Sequence, residues 1–163
     1  MAALHSADSA DQQHPTRGRH MAQFARAHVF VYARCLATVV RVDGEIDAAN
    51  ARDLTEAIRG FARLKTPVVL DLSRLRFLSV EGFRALLFVN DELRKARVHC
   101  SVVTGTAIRP LLRIVHDNGL ATTDSVPEAF QTIEDILAAR RRFVSELARP
   151  RQPRSRVPRS AAS

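Results

Sequence analysis

The chain has 163 residues, of which 46% are hydrophobic and 26% charged, a composition typical of one globular domain with some tail and not of a wholly disordered or collagenous chain. No apolar run approaches the roughly 18 residues that a membrane-spanning helix needs. The net charge of +8 is unevenly distributed, because residues 28–139 carry as many acidic as basic side chains, whereas residues 140–163 hold eight arginines against Glu146 alone. The basicity therefore belongs to the C-terminal tail and not to the domain.

The predicted elements begin with an arm and a hairpin. Residues 1–27 lack apolar periodicity, so we expect them to form a disordered arm. Two β-rich runs follow at residues 28–33 and 36–42, and the short turn between them predicts a hairpin. We expect Asp43 and Gly44 to break the second strand, because both residue types favour turns.

Apolar spacing then predicts helices that alternate with short strands. Leu54, Ile58 and Phe61 recur at helical spacing, with Asp47 as the N-cap of that helix. Pro110 is expected in the first turn of a later helix, where its missing N–H costs nothing. The further elements are predicted in this order: a strand at 68–72, a helix at 82–97, a strand at 99–104, a helix at 107–117, a strand at 120–122 and a helix from Pro127.

This order of elements predicts the fold class. Strands that alternate with helices are typical of a mostly parallel sheet, and the initial hairpin makes the sheet mixed. We therefore expect an α/β domain over residues 28–139, with a mixed β-sheet covered by about four helices. An apolar stripe continues the last helix from Phe130 to Leu147, and the arginine-rich chain after Pro150 has no periodicity. Residues 140–163 are thus predicted to be a basic helical extension and a disordered tail.

The sequence lacks the motifs of common enzymes and metal sites. It contains no glycine-rich phosphate loop, no H-E-x-x-H pair and no G-x-S-x-G nucleophile turn. Asp43, Glu45 and Asp47 form an acidic cluster that could hold a cation or act as a base, but carboxylates at a strand-to-helix turn more often solvate the turn and cap the helix. We expect a protein that is not an enzyme and that has no cofactor and no metal.

Cysteine use and the N-terminus predict the compartment. Cys35 and Cys100 provide neither a disulfide framework nor a metal-ligand set. We expect two small buried or half-buried thiols in a reducing environment. The N-terminus has no apolar segment of the kind found in secretory signals. We therefore expect a cytoplasmic protein.

Three segments, in a fixed order, carry a family resemblance. They are D-G-E-I-D at residues 43–47, V-V-L-D-L-S-R-L-R-F-L-S-V-E-G at residues 68–82, and a strand, helix and N-G-L over residues 102–120. Together they resemble the STAS domain of bacterial anti-sigma-factor antagonists, also called anti-anti-sigma factors. The resemblance covers residues 28–138, nearly the whole predicted domain, and implies the mixed α/β fold of that family.

The resemblance implies a protein-binding regulator. Members of that family bind an anti-sigma factor, usually a GHKL-type serine kinase, and so release the sigma factor. The kinase phosphorylates a Ser or Thr at the start of the second helix, and the added negative charge in the interface ejects the partner. The family's D-S-x-G motif falls here on Ser79, Val80, Glu81 and Gly82. Val80 takes the position of the phosphorylated residue and has no hydroxyl, so the phospho-switch is expected to be missing.

The implied partner-binding surface consists of the start of this helix and one residue of the acidic turn: Asp47, Ser79, Val80, Glu81, Gly82 and Phe83. Two alternatives for the switch are Ser79 as an acceptor shifted by one residue and Glu81 as a permanent mimic of the phosphate. Phe83, Phe88 and Val89 add apolar side chains to the same helix, and these form either an exposed partner patch or part of the core. A further alternative is that Val80 packs as an ordinary helix residue and the loop binds nothing.

Other functions stay open at this point. Val80 is compatible with a constitutive antagonist and also with a STAS scaffold or transporter-accessory subunit that binds another protein. A third alternative is contact of the basic tail with nucleic acid or an anionic membrane, through Arg140, Arg141, Arg142, Arg149, Arg151, Arg154, Arg156 and Arg159. Phe143 is the one aromatic residue among these arginines, so stacking on bases is not predicted. The sequence leaves the oligomeric state open.

Overall fold

The structure, a computed structural model, describes residues 20–149. Within that range the chain forms one seven-stranded sheet and four α-helices. The strands are β1 (His20–Phe24), β2 (Ala27–Ala33), β3 (Thr38–Ile46), β4 (Val68–Asp71), β5 (Leu75–Leu78), β6 (Cys100–Val103) and β7 (Ala121–Thr123). The helices are α1 (Ala51–Arg59), α2 (Val80–Lys95), α3 (Arg109–Ile114) and α4 (Val126–Leu147), and a 3₁₀ turn (Gly60–Leu64) follows α1.

The sheet is mixed, as predicted. Along its main path the strands lie in the order β1-β2-β3-β4-β6-β7, and β5 pairs with the last residues of β3. The neighbours β1, β2 and β3 are antiparallel, whereas β4 and β5 are parallel to β3, β6 to β4 and β7 to β6. The predicted α/β architecture is confirmed, and so is the hairpin of β2 and β3.

The first strand lies inside the segment 1–27 that we expected to be a disordered arm, so the predicted boundary is wrong. β1 pairs antiparallel with β2, and its Ala22 and Phe24 pack against the core. Two apolar side chains in a five-residue strand make too weak a pattern to stand out in the sequence. The strand forms because β2 supplies its hydrogen-bond partners. The expectation for residues 1–19 lies outside the described residues.

β3 continues through Gly44 instead of ending there. Gly44 has a φ of 105°, in the region that favours glycine. A Cβ at this position would overlap the carbonyl oxygen of Arg26, in the turn between β1 and β2. The register of β3 against β5 shifts between Gly44 and Glu45. The glycine therefore allows a bulge in β3 and lets the β1–β2 turn pack directly against the strand. β3 continues beyond the bulge to Ile46.

Alternate residues of the central strands face two separate apolar clusters. Val40 and Leu70 belong to the cluster that also contains residues of α1, α2 and α3, whereas their neighbours Val39 and Val69 belong to the cluster that contains residues of α4. Nearly continuous apolar runs of this kind are typical of strands that are buried on both faces of a sheet. α4 therefore covers one face of the sheet, and the other three helices cover the opposite face.

The helices follow the predicted order, and each of the four starts within a few residues of its predicted start but not at it. Pro110 lies in the first turn of α3, and α4 continues to Leu147, as its apolar stripe predicted. The N-cap of α1 is Asn50 and not Asp47, and α2 begins at Val80, two residues before the predicted start. None of the helices described between residues 20 and 149 is long and apolar enough to cross a membrane. The predicted disordered tail lies outside the described residues.

Candidate partner-binding surface

Hydrogen bonds of the backbone and of one side chain hold the start of α2 in place. Ser79 N donates to the carbonyl oxygen of Ile46, the last residue of β3, over 2.9 Å. Ser79 Oγ accepts a hydrogen bond from Gly82 N over 3.0 Å, so Ser79 is the N-cap of α2. The strand β5, which no sequence pattern predicted, lies beside the end of β3 and delivers Ser79 to this position. The hydroxyl of Ser79 thus has a structural role in the cap.

Gly82 allows α2 to begin directly against the sheet. Gly82 is buried, and a Cβ at this position would lie 2.7 Å from Ile46 Cγ2 and 2.8 Å from Leu78 Cδ1. Ordinary carbon–carbon contacts are about 3.5–4.0 Å. The missing side chain is therefore what permits this close approach. Gly82 shapes the predicted surface from beneath and is not itself available for contact.

Apolar side chains beside this cap are exposed to solvent. Val80, the first residue of α2, is 51% exposed, and Phe77 of β5 is 50% exposed. Phe88 lies about two turns further along the exposed face of α2, where the Arg59 guanidinium carbon is 5.8 Å from the ring centre. Glu81, in the first turn of α2, is exposed as well. We call Phe77, Val80 and Phe88 the α2 surface.

The expectation that Phe83 belongs to the contact surface is wrong. Phe83 and Val89 are both buried and pack in the core together with Leu86. Phe83, Leu86 and Val89 follow one another at intervals of three residues and so share the face of α2 that meets the sheet, while Val80 and Phe88 lie on the opposite side. Phe83 therefore anchors α2 to the core.

Arginines neutralise the acidic cluster. Arg26, in the turn between β1 and β2, forms a salt bridge with Asp47, and its Nη1 lies 3.9 Å from Glu45 Oε2. Asp43 Oδ1 lies 3.1 Å from Arg41 Nε. Each of the three carboxylates thus has a cationic neighbour in the protein itself. Within residues 20–149, no three or more His, Cys, Asp or Glu side chains are grouped so that they could hold a metal ion.

Asn50 ties the acidic turn to the β1–β2 turn. Its side chain is almost fully buried, and Oδ1 accepts a hydrogen bond from Asp47 N over 2.9 Å. Its Nδ2 donates to the carbonyl oxygens of Ala25 (2.7 Å) and Glu45 (2.9 Å). A buried amide that is bonded in this way fixes the backbone around it. Asp47 directly follows Ile46, so the same bonds fix the acidic turn next to the start of α2.

Arg26 and Asn50 lie at the candidate site but were not predicted from the sequence. Arg26 is separated from Asp47 by 21 positions, and Asn50 from Ala25 by 25 positions, so their partners become neighbours only when the sheet forms. Asn directly before a helix is a common N-cap, and this was the one local signal for Asn50. Arg26 had no local signal, because it lies in the segment that was expected to be disordered.

The reactive groups of the described residues do not form a catalytic arrangement. No hydrogen bond within residues 20–149 joins Ser79 Oγ to a His, Asp or Glu side chain. Cys35 is exposed, contrary to the expectation of a buried or half-buried thiol, and Cys100 is buried as expected. Burial raises the pKa of the Cys100 thiol to about 12, which keeps it protonated near neutral pH.

Comparisons with known proteins identify relatives of this chain. The family model described as STAS domain matches residues 29–120. Osmosensory protein A of Mycobacterium tuberculosis is 32% identical over 135 residues, which cover 80% of this chain and 85% of that protein. A crystal structure of an anti-sigma factor antagonist from Mycobacterium paratuberculosis is similar with a TM-score of 0.60 and 27% identity, over 66% of this chain and 94% of that chain.

Proposed function

The chain belongs to the STAS domain family, and from this premise we propose that it is a non-enzymatic regulator that binds an anti-sigma factor through the α2 surface. A similar solved structure is an anti-sigma factor antagonist, which supports this class of partner. The observation that carries the proposal is Val80, an exposed apolar residue at the start of a capped and tightly packed helix.

An exposed apolar surface on a rigid support is suited to a protein partner. Val80 and Phe77 are each about half exposed, and covering them removes apolar area from water at about 25 cal/mol per Å². The Ser79 cap and the Gly82 contact already order this turn, so binding costs little conformational entropy. Arg26 neutralises Asp47, and the partner therefore meets no unpaired carboxylate at that position.

We propose further that phosphorylation does not control this surface. Val80 has no hydroxyl, and the Ser79 hydroxyl accepts the capping hydrogen bond of α2. A phosphate at the position of Val80 would add close to two negative charges to the interface and oppose binding. A GHKL-type serine kinase that binds here would find no acceptor at this position, so the complex would persist in the presence of ATP.

The α2 surface is tested with the purified chain and the anti-sigma kinases of its host, by isothermal titration calorimetry. Val80→Glu places a charge in an apolar contact and is expected to weaken binding at least tenfold. Leu64→Glu is the matched control, because Leu64 is also apolar and exposed but ends the 3₁₀ turn instead of starting α2. Its affinity is expected to equal that of the wild type. Unchanged binding of Val80→Glu would exclude the α2 surface, and failure of every kinase to bind the wild type would exclude this partner class.

The missing switch is tested with Val80→Ser, which restores a hydroxyl at the first residue of α2. Incubation with the bound kinase and ATP is expected to add one phosphate to Val80→Ser and none to the wild type, as measured by intact mass. The phosphorylated variant is expected to leave the complex. A phosphate on Ser79 of the wild type would contradict the proposal and establish the shifted acceptor.

We propose osmotic stress as the condition in which this regulator acts, because the 32% identical relative is named an osmosensory protein. A reporter of the dependent sigma factor is expected to respond to an osmotic upshift in wild-type cells and to respond less in cells that carry Val80→Glu. Equal responses in the two strains contradict this role.

A further inference from the structure

α4 is longer than the part of it that packs on the sheet. Its last buried residue is Ile133, and every described side chain from residue 138 to residue 149 is exposed. At a rise of 1.5 Å per residue, the ten residues 138–147 extend the helix by about 15 Å past its packed part. We call residues 138–147 the α4 extension.

The α4 extension is amphipathic. Phe143, Val144 and Leu147 are all at least 62% exposed. Phe143 and Leu147 are four residues apart and so lie on one face of the helix, with Val144 beside them. Arg142 lies at least about 100° from each of these three residues around the helix axis, on the polar side, and Arg141 lies at the edge of that side, about 60° from Val144. Arg140 lies on the face of the stripe, at its start next to the sheet. Within residues 20–149, no other part of the chain covers this apolar stripe.

A group of cations lies where the α4 extension leaves the sheet. Three cationic side chains, Lys65, Arg97 and Arg140, line a cavity of about 70 Å³ together with the His99 imidazole, whose pKa is lowered by burial, and no carboxylate lines it. Lys65 and Arg97 lie in the loops that lead into β4 and β6, so the cavity is at the amino ends of these parallel strands. A recess that is lined by positive charges and by no negative charge attracts anions.

The sequence beyond the cavity continues this positive charge. Residues 140–163 contain eight arginines against Glu146 alone, and five of these arginines follow Leu147. A helix with arginines on one side and Phe, Val and Leu on the other is typical of segments that lie in the interface of a membrane. The charge and the apolar stripe are thus complementary to the same kind of surface.

We propose that the α4 extension and the cation-lined cavity bind the surface of an anionic phospholipid membrane. Phe143, Val144 and Leu147 enter the boundary between headgroups and acyl chains, and Arg141, Arg142 and the cavity face lipid phosphates. A nucleic acid would match the arginines but would leave the apolar stripe in water. A second copy of the chain would cover the stripe but would bring two sets of arginines together.

The proposed membrane-binding region, which consists of the α4 extension and the cavity, lies at the opposite end of the sheet from the α2 surface. Ser79 is bonded to Ile46 at the carboxyl end of β3, whereas the cavity is at the amino ends of β4 and β6. β4 runs parallel to β3, and β6 runs parallel to β4. A chain on a membrane therefore leaves the α2 surface free, and this inference does not depend on the proposed protein partner.

The test is cosedimentation of the full chain with vesicles of phosphatidylcholine alone or of phosphatidylcholine mixed with phosphatidylglycerol. We expect binding to the mixed vesicles only, and we expect salt to weaken it. Phe143→Asn combined with Leu147→Asn leaves every charge in place and is expected to weaken binding at least tenfold, because the stripe no longer enters the membrane. Circular dichroism verifies that each variant is folded.

A pair of matched variants tests the charges. Arg97→Gln combined with Arg140→Gln is expected to weaken binding about 30-fold, at about fivefold for each arginine near the membrane. Arg74→Gln combined with Arg76→Gln is the control, because it removes the same charge from exposed positions after β4 and in β5, towards the other end of the sheet. This control is expected to weaken vesicle binding less than about twofold.

Four results overturn the proposal. Equal binding to both kinds of vesicle excludes the anionic lipid, and full binding by the apolar variant excludes the stripe. Tighter binding to a DNA duplex than to vesicles, measured by fluorescence anisotropy and retained by the apolar variant, assigns the arginines to nucleic acid. A dimer in sedimentation velocity that the apolar variant loses, without vesicle binding by the wild type, assigns the stripe to a second copy.

Discussion

Gly82→Ala tests whether the close approach of α2 to the sheet is required for stability. The added Cβ would lie 2.7 Å from Ile46 Cγ2 and 2.8 Å from Leu78 Cδ1, about 1 Å inside ordinary contact distance in both directions. Both neighbours are buried, so they have little room to move. Overpacking of this kind costs about 1–3 kcal/mol, and the better helix propensity of Ala returns less than about 1 kcal/mol. We expect a net loss of about 1–2 kcal/mol in the free energy of unfolding.

Urea unfolding followed by circular dichroism measures this loss, with Gly60→Ala as the matched control. Gly60 has a helical φ of −56°, and a Cβ there would have nothing within 4 Å. The control is therefore expected to gain about 0.5 kcal/mol, because Ala restricts the unfolded chain. A Gly82→Ala protein as stable as the wild type would refute the packing argument, and so would an equal loss of stability in both variants.

Two further predictions concern the cap of α2 and the pH dependence of stability. Ser79→Ala removes the acceptor for Gly82 N and is expected to lower the free energy of unfolding by about 1 kcal/mol. Ser79→Asp keeps a capping oxygen and is expected to retain most of this stabilisation. Urea unfolding of both variants measures the difference. Burial, and to a lesser extent the charge of Arg140, lowers the pKa of His99. The folded state therefore binds fewer protons than the unfolded state below about pH 6.5, so the stability is full above that pH and falls as the pH drops through the folded pKa. Thermal melts of His99→Gln are expected to show a flatter pH dependence than the wild type, and parallel curves would contradict this.

The central part of the fold follows from patterns that the sequence carries locally. β4 and β6 are short apolar runs buried on both faces, and the helices repeat apolar residues at helical spacing. β5 carries neither signal, because Arg76 and Phe77 are exposed and its pairing partner is the end of β3, far earlier in the chain. β1 likewise depends on β2 for its pairing. Both strands therefore form through pairing with another strand, and their own sequence pattern does not predict them.

Some residues of the candidate site were likewise predictable from the sequence, and others were not. The positions of Ser79 and Gly82 followed from a motif, and the structure shows the cap and the close contact behind them. The burial of Phe83 follows from its spacing to Leu86 and Val89 on one face of α2, and the position of Phe83 next to the motif does not reveal it. Arg26 and Asn50 reach the site only across the assembled sheet, which no local pattern describes.

The salt bridge between Arg26 and Asp47 joins the candidate site to a residue outside the range that the family model matches. The family model matches from residue 29, so the β1–β2 turn that carries Arg26 precedes the matched domain. A substitution in that turn changes the charge next to the start of α2 without altering any matched residue. In the proposed complex, two proteins with identical STAS cores would therefore differ in partner preference, because discrimination needs only one unfavourable charge at the edge of an interface. For the proposed binding mode, the β1–β2 turn is thus a position where partner preference changes while the fold stays constant.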